Sequence, residues 1–301
     1  MAKHWVLIAN PTAGNARVRC AAEQAALAIQ EAGRAVELRY TRAKGHATEL
    51  AQQAVAEGAE RLVVCGGDGT ISETLAPLAG SHTALGLLPG GTCNDLARAL
   101  AVPLRVEAAI GNLLSGEVRA IDLGRVGDRF FATIAAFGFD AAVSRRVESA
   151  QGPLSGRIRY IVEALRHMAR YQPIRVRLGG DFGEIEREVL QVSTANTRNY
   201  GGNLCVAPDA DCGDGLFDVV VVDAVPRRVI LSLMIRLFWR THVRHPAVRV
   251  ERTARLVLHT DAPHSVYADG DYLDQTPLVL EISPAALRVV VPNSCSQGGR
   301  C

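Results

Sequence analysis

Up to about residue 122 the chain alternates short apolar runs with longer segments whose apolar residues recur at helical spacing. The runs at 5–9, 35–40, 61–65 and 84–88 predict strands, and 16–32, 46–57, 70–79 and 93–100 predict the helices that follow them. Ala21, Ala25, Ala28 and Ile29 mark the buried face of the first of these helices. Such alternation implies an α/β fold, a doubly wound parallel sheet covered on both faces. A helix at 105–115 closes this unit and a strand at 118–123 leads out of it.

The pattern then changes. Runs at 129–136, 174–178, 185–194, 218–222, 254–258 and 278–282 read as strands with few helices between them, a mostly antiparallel β-sandwich or barrel. Two helical segments interrupt it, at 157–171 and 226–240. The expected organisation is an α/β domain over 1–125, a β-rich domain over 126–292 and a flexible tail over 293–301.

Composition narrows the function classes. With 48% hydrophobic residues in 301, the chain can fill two cores, and a net charge of +2 gives no general field for nucleic acid. Seven cysteines without metal-ligand spacing suit a reducing cytoplasm better than a disulfide framework. No apolar run approaches the length of a transmembrane helix.

The densest chemical signal is Gly66-Gly67-Asp68-Gly69-Thr70, placed where the third strand ends. Glycines leave backbone N–H groups open to a ligand, and Thr70 and Ser72 open a helix whose N-terminus attracts anions. A lone carboxylate weakens a pure phosphate cradle, so Asp68 suggests a Mg²⁺ bridging it to phosphate oxygens. By itself the triplet reads equally well as a tight turn capped by Asp. A second glycine loop, Leu88-Pro89-Gly90-Gly91-Thr92-Cys93-Asn94-Asp95, follows the fourth strand, and a third, Asn10-Pro11-Thr12-Ala13-Gly14-Asn15, follows the first. Three strand–loop–helix units, each turning polar at the strand's C-terminal end, are how open α/β sheets build ligand crevices.

In order and spacing these three loops resemble the diacylglycerol kinase catalytic-domain family, which includes bacterial soluble lipid kinases and sphingosine kinases. The resemblance continues at Asp122 in Ile121-Asp122-Leu123-Gly124, through Ala207 to Asp218, and at Asp269-Gly270-Asp271, covering roughly residues 4 to 292. It implies ATP and Mg²⁺ as cofactors. Nucleotide contacts fall on Asn10, Pro11, Thr12, Ala13, Gly14, Thr41, Gly66, Gly67, Asp68, Gly69, Thr70, Ile71, Ser72, Glu73 and Thr92. Asn15 stands where relatives often carry lysine, which removes a charge from the first loop.

Asp68, Asp95 and Asp122 all fall near C-terminal strand ends, and converging carboxylates need a cation among them. Read alone, Asp95 is equally a helix N-cap and Asp122 a turn residue. The family's proton acceptor lies in an Asp-Gly-Glu motif; here Asp271 holds the glutamate's place, and the motif also reads as an Asp-Gly turn. Within the acidic loop containing Asp209, Asp211, Asp214 and Asp218, the resemblance assigns a structural Mg²⁺ to the Asp214 carboxylate and to the carbonyls of Asp211 and Leu216. The other reading there is a solvated acidic turn.

Residues 226–246 place Arg227, Arg228, Arg236, Arg240 and Arg244 around Leu231, Leu233, Leu237, Phe238 and Trp239. A basic helix with bulky apolar residues suits an anionic membrane surface, or packs on a core with its basic face in solvent. The expected protein is an ATP-dependent lipid kinase with its active site between two domains. Its acceptor is a hydroxyl of a diacylglycerol-like, phosphatidylglycerol-like or sphingoid lipid. It is cytoplasmic and peripheral to the inner face of the membrane, without nucleic acid, a homodimer being left open. An NAD kinase, or a catalytically silent nucleotide- or lipid-binding regulator, is the alternative.

Overall fold

The computed structural model describes residues 4–12, 16–138, 172–202 and 204–293. Two compact units divide the chain: the first holds the segment up to Leu123 and the segment from Pro284 onward, the second holds Gly124 to Ser283.

In the first unit β1 (His4–Ala9), α1 (Ala16–Glu31), β2 (Ala35–Tyr40), α2 (His46–Ala56), β3 (Arg61–Gly66), α3 (Asp68–Leu78) and β4 (Ala84–Pro89) alternate as expected. They are followed by α4 (Asp95–Ala99), α5 (Val106–Ser115) and β5 (Glu117–Val126). The strands run parallel in the order β2-β1-β3-β4. β1, β3 and β4 are buried along nearly their whole length, which is why they read as unbroken apolar runs. The edge strand β2 has no fully buried residue and carries Glu37 and Arg39, an ion pair at 2.7 Å. On one face of the sheet Leu7, Ala22, Ala25, Ile29, Val63, Cys65 and Leu113 form one core cluster.

The second unit is almost entirely antiparallel. It comprises β6 (Arg129–Phe131), β7 (Ile134–Gly138), β8 (Ile174–Gly180), β9 (Gly183–Ala195), β10 (Asn199–Tyr200), β11 (Leu204–Cys205), β12 (Phe217–Asp223) and α6 (Arg227–Phe238). There follow β13 (Val248–Thr253), β14 (Arg255–Thr260), β15 (Ser265–Ala268), β16 (Asp271–Gln275) and the first part of β17 (Leu278–Val291). Pairing runs β16-β15-β7-β9-β8-β14-β17, with β12 joining β9 to β13. Phe131, Phe137, Phe217, Leu256 and Leu280 lie in its core, and the rings of Phe131 and Phe217 stack at 5.8 Å. Gly124 has no side chain because a Cβ there would stand 2.1 Å from the Phe131 ring.

Two expectations change, and a third falls on residues that are not described. The single strand expected at 129–136 is two, because Ala132 and Thr133 turn their N–H groups to the Asp269 carboxylate instead of a ladder. The helix expected at 157–171 lies outside the described residues. Residues 284–291 belong with the first unit: Gly80 N–H donates to the Ala286 carbonyl, and Val289 pairs with Leu85 of β4 in parallel. The β-rich stretch therefore does not continue to residue 292, and the first unit's sheet is completed by the far end of the chain.

Candidate nucleotide site

β3 and β4 deliver the two glycine loops side by side. Gly90 N–H donates to the Gly66 carbonyl at 2.8 Å, so the loops are joined at their roots. A Cβ built on Gly91 would sit 2.6 Å from the Gly67 Cα, and one on Gly90 would sit 2.9 Å from Val18. Gly91 answers to close approach of backbone to backbone, and Gly90 to the Val18 side chain packed against it. None of the loop glycines at 66, 67, 69, 90 and 91 has a positive φ; the left-handed position is Asn94, at φ 50. Its side chain accepts from Gly91 N–H at 3.0 Å and donates to the Gly91 carbonyl at 2.9 Å, clasping the second loop.

Asp68 is the first residue of α3, not a loop residue ahead of it, with Gly67 as the N-cap. Its Oδ1 accepts from Asp95 N–H at 2.7 Å and its Oδ2 from Asn94 N–H at 2.8 Å. The carboxylate thus ties the start of α3 to the start of α4. Burial pushes its carboxyl above the usual range, against the lowering effect of those two N–H groups and of Arg98. Arg98 is held in turn by the Cys93 carbonyl at 2.8 Å. Ligand atoms of Asp68, Cys93 and Asp95 lie within 4.8 Å of one another. Asp122 is not part of that group: it is buried on β5, and its Oδ1 accepts from Ala285 N–H at 2.7 Å. The expected convergence of three carboxylates is therefore two carboxylates and a thiol, with Asp122 anchoring the returning end of the chain.

The loop after β1 is tied to the first turn of α3 by Asn10, whose Nδ2 donates to the Thr70 hydroxyl at 3.0 Å. Asn10 Oδ1 accepts from the Thr12 N–H at 3.0 Å and the Thr12 hydroxyl at 2.7 Å. Pro11 lies between them, while Ala13 and Gly14 fall outside the described residues. Thr41 is buried and its N–H closes on the Ala9 carbonyl at 2.9 Å. The N–H groups of Thr70 and Ile71 both return to the Gly67 carbonyl, and the Ile71 side chain is buried. Ser72 is half-buried and Thr92 exposed. Glu73 faces α2: its carboxylate accepts from Gly45 N–H at 2.9 Å and Ala47 N–H at 3.1 Å, capping that helix across space. Sequence reasoning missed Asn94 and Arg98; an Asn three residues after a Gly-Gly pair, opening a helix, was the available signal.

In the second unit Asp269 and Asp271 separate cleanly. Asp269, at φ 53, accepts the N–H groups of Ala132 at 2.7 Å and Thr133 at 2.9 Å, together with the Thr133 hydroxyl. It fixes the break between β6 and β7. Asp271 opens β16, half-buried and paired with Ala268 of β15.

The acidic loop pairs its carboxylates with an arginine and with its own backbone. Asp214 is in an ion pair with Arg252, and its Oδ1 accepts from Leu216 N–H at 3.0 Å. Asp211 accepts from Gly213 N–H at 3.1 Å. Arg252 Nε also stands 3.7 Å from Asp218, whose burial raises its carboxyl pKa and leaves Oδ2 without a hydrogen-bond partner. A guanidinium supplies positive charge to the Asp214 and Asp218 carboxylates here.

A doubly wound sheet carrying interlocked glycine loops at its strands' C-terminal ends is a nucleotide-binding unit of the phosphate-cradling kind. Residues 4–126 match the family model described as the diacylglycerol kinase catalytic domain, and residues 133–291 the YegS C-terminal NAD kinase beta sandwich-like domain. A "Diacylglycerol kinase" of Mycobacterium tuberculosis (strain ATCC 25618 / H37Rv) is 37% identical over 254 residues, 82% of this chain and 81% of that one. A "Probable lipid kinase YegS-like" of Xanthomonas oryzae pv. oryzae (strain KACC10331 / KXO85) is 30% identical over 310 residues, 99% of each. A solved diacylglycerol kinase structure from Bacillus anthracis str. Sterne superposes with TM-score 0.76 at 20% identity, covering 97% of this chain and 98% of that one; it shares the fold. The chain belongs to the diacylglycerol kinase catalytic-domain family of lipid kinases, phosphotransferases with an alcohol acceptor. That membership carries ATP as the phosphoryl donor and a lipid as the substrate class.

Proposed function

We propose that the protein transfers the terminal phosphoryl group of ATP to a hydroxyl of a diacylglycerol-like, phosphatidylglycerol-like or sphingoid lipid. The observation that carries this is the interlocking of the Gly66–Thr70 and Pro89–Asp95 loops by Gly67, Gly91, Asp68 and Asn94, in a chain of this family. Backbone N–H groups and the start of α3 then hold nucleotide phosphates beside Asn10, Pro11, Thr12, Gly66, Gly67, Gly69, Ser72 and Thr92. Thr41, Thr70 and Ile71 shape the loop walls, and Glu73 positions α2 beside them.

Asp68 and Asp95 offer hard oxygen donors that fit a Mg²⁺, each Asp68 oxygen keeping a lone pair beyond its N–H partner. That ion supplies positive charge against the phosphate oxygens. Asp122 acts one step removed, by fixing Ala285. The lipid oxygen forms its bond to the terminal phosphorus as the bond to the bridging oxygen breaks, ADP leaves, and Asp271 accepts the hydroxyl proton. Among the described residues no helix is long and apolar enough to cross a membrane; a lipid substrate is itself the reason to place the enzyme at a membrane surface, at its inner face.

Purified protein is incubated with labelled ATP and vesicles of diacylglycerol, phosphatidylglycerol or sphingosine, with NAD in a parallel arm. Label in at least one lipid and none in NAD is the expected result. Transfer to NAD and to no lipid overturns the reading, and nucleotide binding without transfer favours the silent regulator.

A further inference from the structure

α6 carries an apolar stripe that its own unit leaves uncovered. Its inner side is buried at Ile230 and Leu233, the latter in a cluster with Ile134, Val220 and Val248. On its outer side Leu231 is 48% exposed, Ile235 55% and Phe238 67%, with Trp239 at 76% capping the helix end. Positions 231, 235 and 238 follow one another at helical spacing and share a face, and Trp239 at the C-cap adjoins Phe238. The other large apolar side chains exposed among the described residues are dispersed over different elements, as single exposed apolar residues normally are. A contiguous stripe of four is the pattern that marks an interaction surface.

The charge around the stripe says what covers it. From Ala224 to Val250 there is no Asp or Glu, while Arg227, Arg228, Arg236, Arg240, Arg244 and Arg249 all fall there. Among the described residues none of these six is in an ion pair, whereas Arg39, Arg125, Arg175, Arg187 and Arg252 each pair with a carboxylate. In a chain with a net charge of only +2, unpaired cations have been concentrated around one apolar face. Contact between two copies through this face would set the same arginines against one another. An anionic bilayer meets both features at once, with acyl chains for the stripe and headgroup phosphates for the guanidiniums.

We propose that α6 docks the protein onto an anionic lipid bilayer, lying in the plane of the interface with Leu231, Ile235, Phe238 and Trp239 inserted. Arg227, Arg228, Arg236 and Arg240 then bind headgroup phosphates. The proposal rests on the lipid-kinase reading for its purpose, but not for its geometry. Trp239 makes it directly readable, because the only other tryptophan, Trp5, is 2% exposed in the core of the first unit.

The test uses the full chain and vesicles of phosphatidylcholine with or without phosphatidylglycerol. Trp emission should shift to the blue with the anionic vesicles and far less with the neutral ones. Ile235→Ser with Phe238→Ser, which keeps the reporter, should lower vesicle partitioning at least tenfold. Arg236→Glu with Arg240→Glu should lower it about fivefold or more per site at low salt. Phosphorylation of a short-chain diacylglycerol kept below its micelle concentration should be unchanged in both variants, while phosphorylation of bilayer-embedded diacylglycerol falls. No emission shift with either vesicle, or variants that bind vesicles as well as the parent, overturns the proposal. A concentration-dependent dimer abolished by Ile235→Ser with Phe238→Ser, without vesicle binding, gives the face to a second copy and also overturns it. Vesicle binding with no phosphorylation of any lipid sinks the kinase reading and leaves the docking surface standing.

Discussion

Asp68→Asn asks whether one carboxylate holds the two glycine loops together. The parent side chain accepts Asp95 N–H at 2.7 Å and Asn94 N–H at 2.8 Å. The amide keeps one acceptor and turns an NH₂ toward the other N–H, donor against donor. A buried donor left without its partner costs about 1–3 kcal/mol. Removing a charge that burial already disfavours offsets part of this, since the carboxyl stands above its usual range. A net loss of about 1–2 kcal/mol is expected, or a fall in Tm of roughly 2–3 °C for a protein of this size. Turnover should fall ~10²-fold or more, the scale of removing a main electrostatic element. The assays are urea unfolding and label transfer from ATP to lipid. An unchanged urea midpoint with near-normal turnover would refute the reasoning, and lost turnover with an unchanged midpoint would remove the latch while keeping the charge's role.

The remaining predictions concern the second unit. Asp271→Asn should depress turnover ~10²–10⁴-fold with ATP affinity nearly unchanged, and Asp271→Glu should retain measurable activity; normal turnover in the Asn variant would send the proton elsewhere. Asp269→Asn should lower stability by about 1–3 kcal/mol in urea, because the Ala132 or Thr133 N–H loses its acceptor; a parent-like midpoint would show that the break between β6 and β7 holds without it. Arg252→Gln strips the cation from Asp214 and from buried Asp218; with the pair half in solvent the loss should be about 1–2 kcal/mol, and added Mg²⁺ should restore part of it. Stability indifferent to both Arg252 and Mg²⁺ would contradict the guanidinium's role. His242 is buried, with Nε2 donating to the Val206 carbonyl at 2.8 Å and Nδ1 without a partner, so burial lowers its pKa from 6.5. A depressed histidine contributes stability that is present above about pH 6.5 and lost as pH falls through the folded pKa. Urea midpoints should therefore drop on acidification below 6.5, and His242→Gln should flatten that slope; an equal slope in the variant would remove His242 as the cause.

What could be read from the sequence was what depends on local pattern. Leu62-Val63-Val64-Cys65 and Leu85-Gly86-Leu87-Leu88 announce strands buried on both faces, and the glycine pairs mark where those strands end. The reason for the glycines was not readable, because Gly91 is glycine on account of Gly67 in another loop. The same holds for Glu73, which caps a helix that precedes it in the chain, and for Asp269, whose partners lie at 132 and 133. Short strands β15 and β16 escaped because a few residues around an Asp-Gly turn carry too little periodicity to separate them from loop. The acidic loop shows the same limit: its carboxylates are plain in the sequence, but Arg252, which pairs with Asp214, lies on β13.

The return of residues 284–291 to the first unit has a consequence for how the protein comes off the ribosome. β4 is an apolar, nearly fully buried strand, and its partner opposite β3 is β17, which is made only after the second unit. Through the synthesis of the whole second unit, the nascent nucleotide-binding sheet has an open, sticky edge along β4, the kind of edge that recruits other chains. Newly made protein is thus most prone to aggregate until residues 284–291 have been made. Truncation after Ser283 should therefore damage the nucleotide-binding unit more than the β-rich unit that precedes the cut.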